Sequence, residues 1–150
     1  MWRSQQLMEY AGCRVTENCL VIPDSRFFAY DSTQLLLFLS PLGDEGRVFY
    51  AITQLSLDMV FPIVYALFGV GLLIRFSSGP GNGVLALPFF AAVCDFVENT
   101  LLTLMALEKL PIEFFAFPAA VATEAKFGFI FATLLVLVFE MIKRLRFAQP

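Results

Sequence analysis

LSLDMVFPIVYALFGVGLLIRF, residues 55–76, decides the fold. Between Asp58 and Arg75 it carries no charged residue. Its length matches the roughly 20 apolar residues a helix needs to cross a hydrocarbon core about 30 Å thick. The stretch ends at Ser77-Ser78-Gly79-Pro80-Gly81-Asn82-Gly83, a run of turn formers that breaks a helix. Upstream, Asp44 and Glu45 place negative charge where a helix N-terminus favours it. The spacing predicts one helix over about 45–76, with 55–76 as its lipid-buried part.

Two similar stretches follow. Residues 84–107 predict a second span, closed by a tight connection at Glu108, Lys109 and Pro111. A third lies within 114–142, lipid-buried over about 117–142 and long enough to tilt. Pro118 bends it or marks its start. The 150 residues are 59% hydrophobic and 15% charged, with mean hydropathy +0.76. A soluble domain is nearer 45–50% apolar and 25% charged, and a chain this small could not bury such an excess. The reading is all-α: a polytopic transmembrane bundle of three spanning helices over residues 33–150, plus a short N-terminal interfacial helix.

Residues 1–32 read as an irregular segment, with a turn at Pro23-Asp24. Asp31 and Ser32 are N-cap residues ahead of Leu35-Leu36-Leu37-Phe38-Leu39, a run too short to span. The short helix over 33–40 therefore lies at the interface or against the bundle, and Pro41-Leu42-Gly43 stops it. No cleavable signal is evident, since no apolar core follows Arg3, Arg14 and Arg26. Three spans put the termini on opposite sides. Arg75 then shares a side with Lys143, Arg144 and Arg146, and Arg47 shares the other with Lys109. The positive-inside rule predicts the C-terminus on the cytoplasmic or matrix side of a bacterial inner or organellar membrane. Arg3, Arg14 and Arg26 count against that orientation.

Several functions are excluded. Net charge is −3 and no basic stretch suits nucleic acid. The chain has no histidine, so no serine–histidine–acid set exists, and an iron or zinc centre lacks its usual ligands. A carboxylate-only site for a hard cation is chemically conceivable, but no metal is expected. The glycine-rich Ser77–Gly83 run lacks a following Gly-Lys-Ser/Thr and is not a phosphate loop. The spacing of Cys13 and Cys19 fits no zinc pattern. With Cys94 they read as free thiols, and a Cys13–Cys19 disulfide stays open as an alternative on an oxidising side.

The informative residues are those a bilayer rejects. Arg47, Tyr50, Gln54, Asp58, Phe61 and Tyr65 are spaced 3, 4, 4, 3 and 4, which stacks them on one helical face. Pro62 lies four residues after Asp58 and has no N–H to give, so the Asp58 carbonyl is freed as a local acceptor. On the second span Asp95, Glu98 and Asn99 share a face at i, i+3 and i+4. Twelve Leu, Ile, Val or Phe residues in 84–107 favour insertion by about 0.3–0.6 kcal/mol each, against roughly 2.5–3.5 kcal/mol for each central carboxylate. The balance is near zero, so Asp95 and Glu98 need partners. The third span offers Glu124 and Lys126, which point to different sides of their helix; Lys126 is the candidate to neutralise Asp95 or Glu98. Asp58, Asp95, Glu98 and Glu124 still outnumber one deep base. Some of these acids must be neutral, hold a cation, or meet a partner's base.

The run Leu42-Gly43-x-x-Gly46-Arg47-x-x-Tyr50, then Asp58-x-x-Phe61-Pro62-x-x-Tyr65, then Asp95-x-x-Glu98-Asn99 resembles small polytopic membrane proteins of unknown function, over about residues 30–130. The resemblance implies a helical membrane bundle, and a further hydrophobic helix ahead of the first motif, for which residues 1–30 are too polar. It implies no activity. The first expectation is an accessory or structural subunit of a larger membrane complex, or a homo-oligomer, held by Arg47, Asp58, Asp95, Glu98, Asn99 and Lys126. The alternative is a small membrane enzyme or binding protein for a lipid-like molecule, or a proton- or cation-handling protein. Membrane lipids, other membrane subunits or a second copy are the expected partners, and bound lipid the expected ligand.

Overall fold

The computed structural model describes residues 2–12, 30–76 and 82–147. The Pro23-Asp24 turn, the Cys13–Cys19 question, Arg14, Arg26 and residues 77–81 of the glycine-rich loop lie outside them. Among the described residues five α-helices run in order: α1 Trp2–Tyr10, α2 Ser32–Leu39, α3 Gly43–Phe76, α4 Asn82–Ala106 and α5 Ile112–Phe147. There is no strand among the described residues. Among the described residues three helical segments are long and apolar enough to cross a membrane, and the fold is a polytopic helical bundle. At 1.5 Å per residue, α3 (34 residues) and α5 (36 residues) reach about 51 and 54 Å, so their ends extend beyond the hydrocarbon core.

One expectation is corrected at the N-terminus. Residues 2–10, read as irregular, form α1, whose Leu7 is fully buried. The crossing of α1 over α3 depends on Gly46. A Cβ there would lie 2.8 Å from the Tyr10 Cβ, closer than two side chains can pack. Isolated, a helix of nine residues is marginal in water, so packing holds α1, and its polar residues gave no periodic signal.

Asp31 caps α2 as its side chain predicts: Oδ1 accepts from the Gln34 N–H at 2.7 Å. Leu35, Phe38 and Leu39 face inward while Leu37 is exposed, so α2 is tucked against the bundle. A 3-10 turn over Ser40–Leu42, with Pro41 inside, leads to Gly43 at φ +61°, a left-handed conformation glycine adopts freely. The chain there swings directly into α3. Together α1, α2 and the adjoining ends of α3, α4 and α5 enclose an apolar core containing Leu7, Tyr30, Phe38, Tyr50, Leu102 and Met105.

The central helix is α4. It packs along both α3 and α5, which meet each other only slightly. Small residues permit the close approach: Ala66 and Gly69 on α3, Ala91 and Ala92 on α4, and Ala116, Ala119, Ala120 and Ala122 on α5 are buried. Gly69 lies beneath Pro88, where a Cβ would come within 3.1 Å of the proline ring. The outward faces of α3 and α5 carry exposed Leu67, Phe68, Phe131, Leu135 and Phe139, the surface a lipid environment accepts.

The α4–α5 connection ends α4 in a Schellman motif. Lys109 N–H bonds the Leu104 carbonyl at 2.8 Å and Glu108 N–H bonds the Met105 carbonyl at 3.1 Å. Glu108 takes the left-handed position (φ 57°) that usually belongs to glycine. Its carboxylate pairs with Arg47, but its side chain is 73% exposed, and such pairs contribute about 0–1 kcal/mol. Left-handed backbone costs a non-glycine residue about 1–2 kcal/mol. Glu108→Gly is therefore expected to leave thermal stability in detergent unchanged or slightly higher. A fall of several degrees in Tm would show that the ion pair outweighs the backbone term.

Candidate functional site

The polar residues singled out by spacing divide into three groups. At the α2 end, Arg47 donates from Nε to the Leu39 carbonyl at 3.1 Å and pairs with Glu108. It thereby satisfies one of the carbonyls α2 leaves open at its C-terminus. One turn further along α3, Gln54 Nε2 donates to the Tyr50 hydroxyl at 2.7 Å, and the Tyr50 ring meets Phe38 edge-on at 5.0 Å. Both residues are fully buried in the end core. Neither group belongs to the cluster at mid-bundle.

That cluster joins α3, α4 and α5. Pro62, buried within α3, leaves the Asp58 carbonyl without its helical donor, and Asn99 of α4 supplies one, Nδ2 to O at 2.8 Å. The side-chain amide replaces a missing backbone N–H across a helix interface, which apolar surroundings require. Next to it, Lys126 Nζ of α5 reaches Glu98 Oε2 at 2.6 Å and Asp95 Oδ1 at 3.2 Å. The remaining oxygens are also taken. Thr123 Oγ1 stands 2.6 Å from Glu98 Oε1, and Tyr65 donates its hydroxyl to Asp95 Oδ2 at 3.1 Å. Asp95 and Lys126 are buried and Glu98 is fully so. When all three are ionised, two acids face one base.

Of the predicted residues, the structure brings together Asp58, Tyr65, Asp95, Glu98, Asn99 and Lys126. It does not bring in Glu124. That residue lies exposed on the outer face of α5, which corrects its assignment to the interior. Two residues on a helix are about 200° apart, so turning Lys126 inward turns Glu124 outward. Phe61, on the predicted polar face, is 65% exposed. Among the described residues no three acidic or thiol side chains converge as metal ligands. Thr123 went unnoticed in the sequence, though its place three residues before Lys126 puts it on the same face.

Because α3 and α5 barely touch, a cleft opens between them with α4 as its floor. Its polar compartment, about 220 Å³, is lined by Asp58, Tyr65, Asp95, Asn99, Lys126 and Phe127. It adjoins an apolar groove of about 240 Å³ walled by Phe68, Leu72, Leu134 and Leu137. Phe61, Tyr65 and Ile130 line both. The Lys126 ammonium also lies 5.1 Å from the Phe127 ring centroid.

The fold and this cluster define a polytopic membrane helical bundle with an acid–base network at its centre. Protein-family models, curated proteins and solved structures offer no match to the chain.

Proposed function

We propose that the chain is an integral membrane protein that binds an amphiphilic, lipid-like molecule in the cleft between α3 and α5. One observation carries this reading: a compartment of polar groups runs without a break into an apolar groove, the two sharing Phe61, Tyr65 and Ile130. A head group would lie against Asp58, Tyr65, Asp95 and Lys126, and a hydrocarbon chain along Phe68, Leu72 and Leu134. The charge count favours a cationic head. Within the network two acids, Asp95 and Glu98, share the one base Lys126, and a bound amine offsets the excess acid in a medium of low dielectric.

The test uses the purified full-length protein in phosphatidylcholine vesicles, titrated with a long-chain alkylammonium and with an alkyl sulfate of equal chain length. A saturable site is expected, with the ammonium bound about tenfold more tightly than the sulfate, a difference of about 1.4 kcal/mol. Asp58→Asn should reduce that preference, and Leu72→Trp, which fills the groove, should weaken both probes. Equal, unsaturable partitioning of the two amphiphiles would remove the basis for the proposal.

A further inference from the structure

Asp95 and Glu98 share Lys126, and Asp95 stands beside the midpoint of α4, where a net charge is most costly. The three groups reach neutrality by keeping one further proton. Groups this close titrate as a unit, so the proton belongs to the network. Hydrogen-bond lengths tell the two acids apart. A hydroxyl bonded to an ionised carboxylate stands about 2.5–2.7 Å away. Thr123 Oγ1 is 2.6 Å from Glu98 Oε1, and Lys126 Nζ is 2.6 Å from Glu98 Oε2. At Asp95 the contacts are longer, 3.1 Å to the Tyr65 hydroxyl and 3.2 Å to Lys126 Nζ. Glu98 is thus the fixed counter-charge of Lys126. Asp95 also has the access: it lines the polar compartment of the cleft, whereas Glu98 is fully buried.

We infer that the cleft exchanges a proton for a cationic head group: binding of the head expels the proton that the Asp95–Lys126–Glu98 network holds in the free protein. The exchange rests on the cleft being the amphiphile site proposed above. In the step the O–H bond at the Asp95 carboxyl breaks and its proton passes to water. The electron pair stays on Asp95, whose carboxylate then faces the cation, and Lys126 keeps its charge against Glu98. One positive charge leaves as another enters, so the interior stays neutral in both states. The titratable groups around Asp95 are Lys126 on α5, Tyr65 and Asp58 on α3, and Cys94 and Glu98 on α4. Of these Lys126 alone is a base. Asp58 lines the same compartment as Asp95, so the two aspartates have to be told apart by substitution. The sign of the pH dependence follows by linkage. The free protein holds more protons than the complex, so affinity for a cation rises with pH.

The experiment titrates the full-length protein, in phosphatidylcholine vesicles and a weakly buffered medium, with a long-chain alkyltrimethylammonium. Its head is permanently charged, so any proton released comes from the protein. A pH-indicator dye should report release of about one proton for each bound molecule, and affinity should rise by up to about tenfold per pH unit. An alkanol of equal chain length should release none. Asp95→Asn keeps the Glu98–Lys126 pair, and should abolish the release and flatten the pH dependence. Asp58→Asn should weaken binding yet leave the protons released per bound molecule unchanged. Should Asp95→Asn misfold, the proton count on the unmodified protein still decides. Saturable ammonium binding with no proton release, at an affinity independent of pH, overturns the exchange and leaves the amphiphile site standing. Absence of saturable binding removes both. Release that survives Asp95→Asn and is lost in Asp58→Asn also overturns the assignment, since the proton would then belong to Asp58.

Discussion

Lys126→Met is expected to destabilise the bundle severely, with a loss of about 3–5 kcal/mol, the cost of removing one partner from a buried ion-pair network. The reason lies in what stays behind. Glu98 and Asp95 would face each other across one turn of α4 with Tyr65 and Thr123 among their remaining partners. Neither hydroxyl carries charge, and the loss is a large part of the 5–15 kcal/mol that typically separates folded from unfolded protein. The measurement is the fraction of monodisperse protein by size-exclusion chromatography in mild detergent, followed by its thermal unfolding. Two companion variants separate the electrostatic cause from loss of packing. Lys126→Arg retains the positive charge and should recover part of the folded fraction. The triple variant Asp95→Asn, Glu98→Gln, Lys126→Met removes all the charge and should recover more than Lys126→Met alone. Failure of the triple variant to improve on the single one would show that the lysine stem, and not the charge balance, holds α5 in place.

The second large effect concerns Asn99 and Pro62. Asn99→Leu should cost about 1–3 kcal/mol, the penalty for removing the amide donor from a part-buried carbonyl. The Asp58 carbonyl needs the Asn99 amide only because Pro62 has no N–H. Pro62→Ala returns that N–H, so in its background Asn99→Leu should cost far less. The expected double-mutant coupling is about 1 kcal/mol or more, within the range measured for residues in contact. Unfolding of the four proteins of the cycle in one detergent reads it directly. Additive effects of the two substitutions would mean that the helix has repaired the Asp58 carbonyl by other means.

Much of this geometry was legible in the sequence, for reasons that can be traced to particular residues. The Asp58 carbonyl could be found because a missing donor is a property of one residue type and a fixed offset of four. Its partner could not be named beyond belonging to the face of Asp95, Glu98 and Asn99, since pairing between helices depends on their relative register. Lys126 was the one deep base, which made it the partner of the α4 acids, and spacing alone could not tell that it would hold both. Counting every charged residue in a span as interior misplaces Glu124, although its offset of two from Lys126 sets it on the other side of α5. Arg47 and Glu108 are 61 residues apart; their pairing follows from the left-handed turn at Glu108, a conformation the side-chain type argues against. Tyr50 and Gln54 do lie on the stripe of Asp58, but α1 and α2 cover that end of α3, and nothing in the polar N-terminal segment announced the first of those helices.

The division of the network between two helices has a bearing on synthesis. Both acids belong to α4, and their base arrives 28 residues after Glu98. At 5–20 residues per second that interval is about 1–6 s. For those seconds α4 has left the ribosome with two carboxylates and no counter-charge, and its insertion balance is close to zero. The nascent chain therefore gains little by releasing α4 into lipid alone. It gains most by holding α4 at the insertion machinery until α5 emerges, so that the two enter as an antiparallel hairpin already neutralised in part.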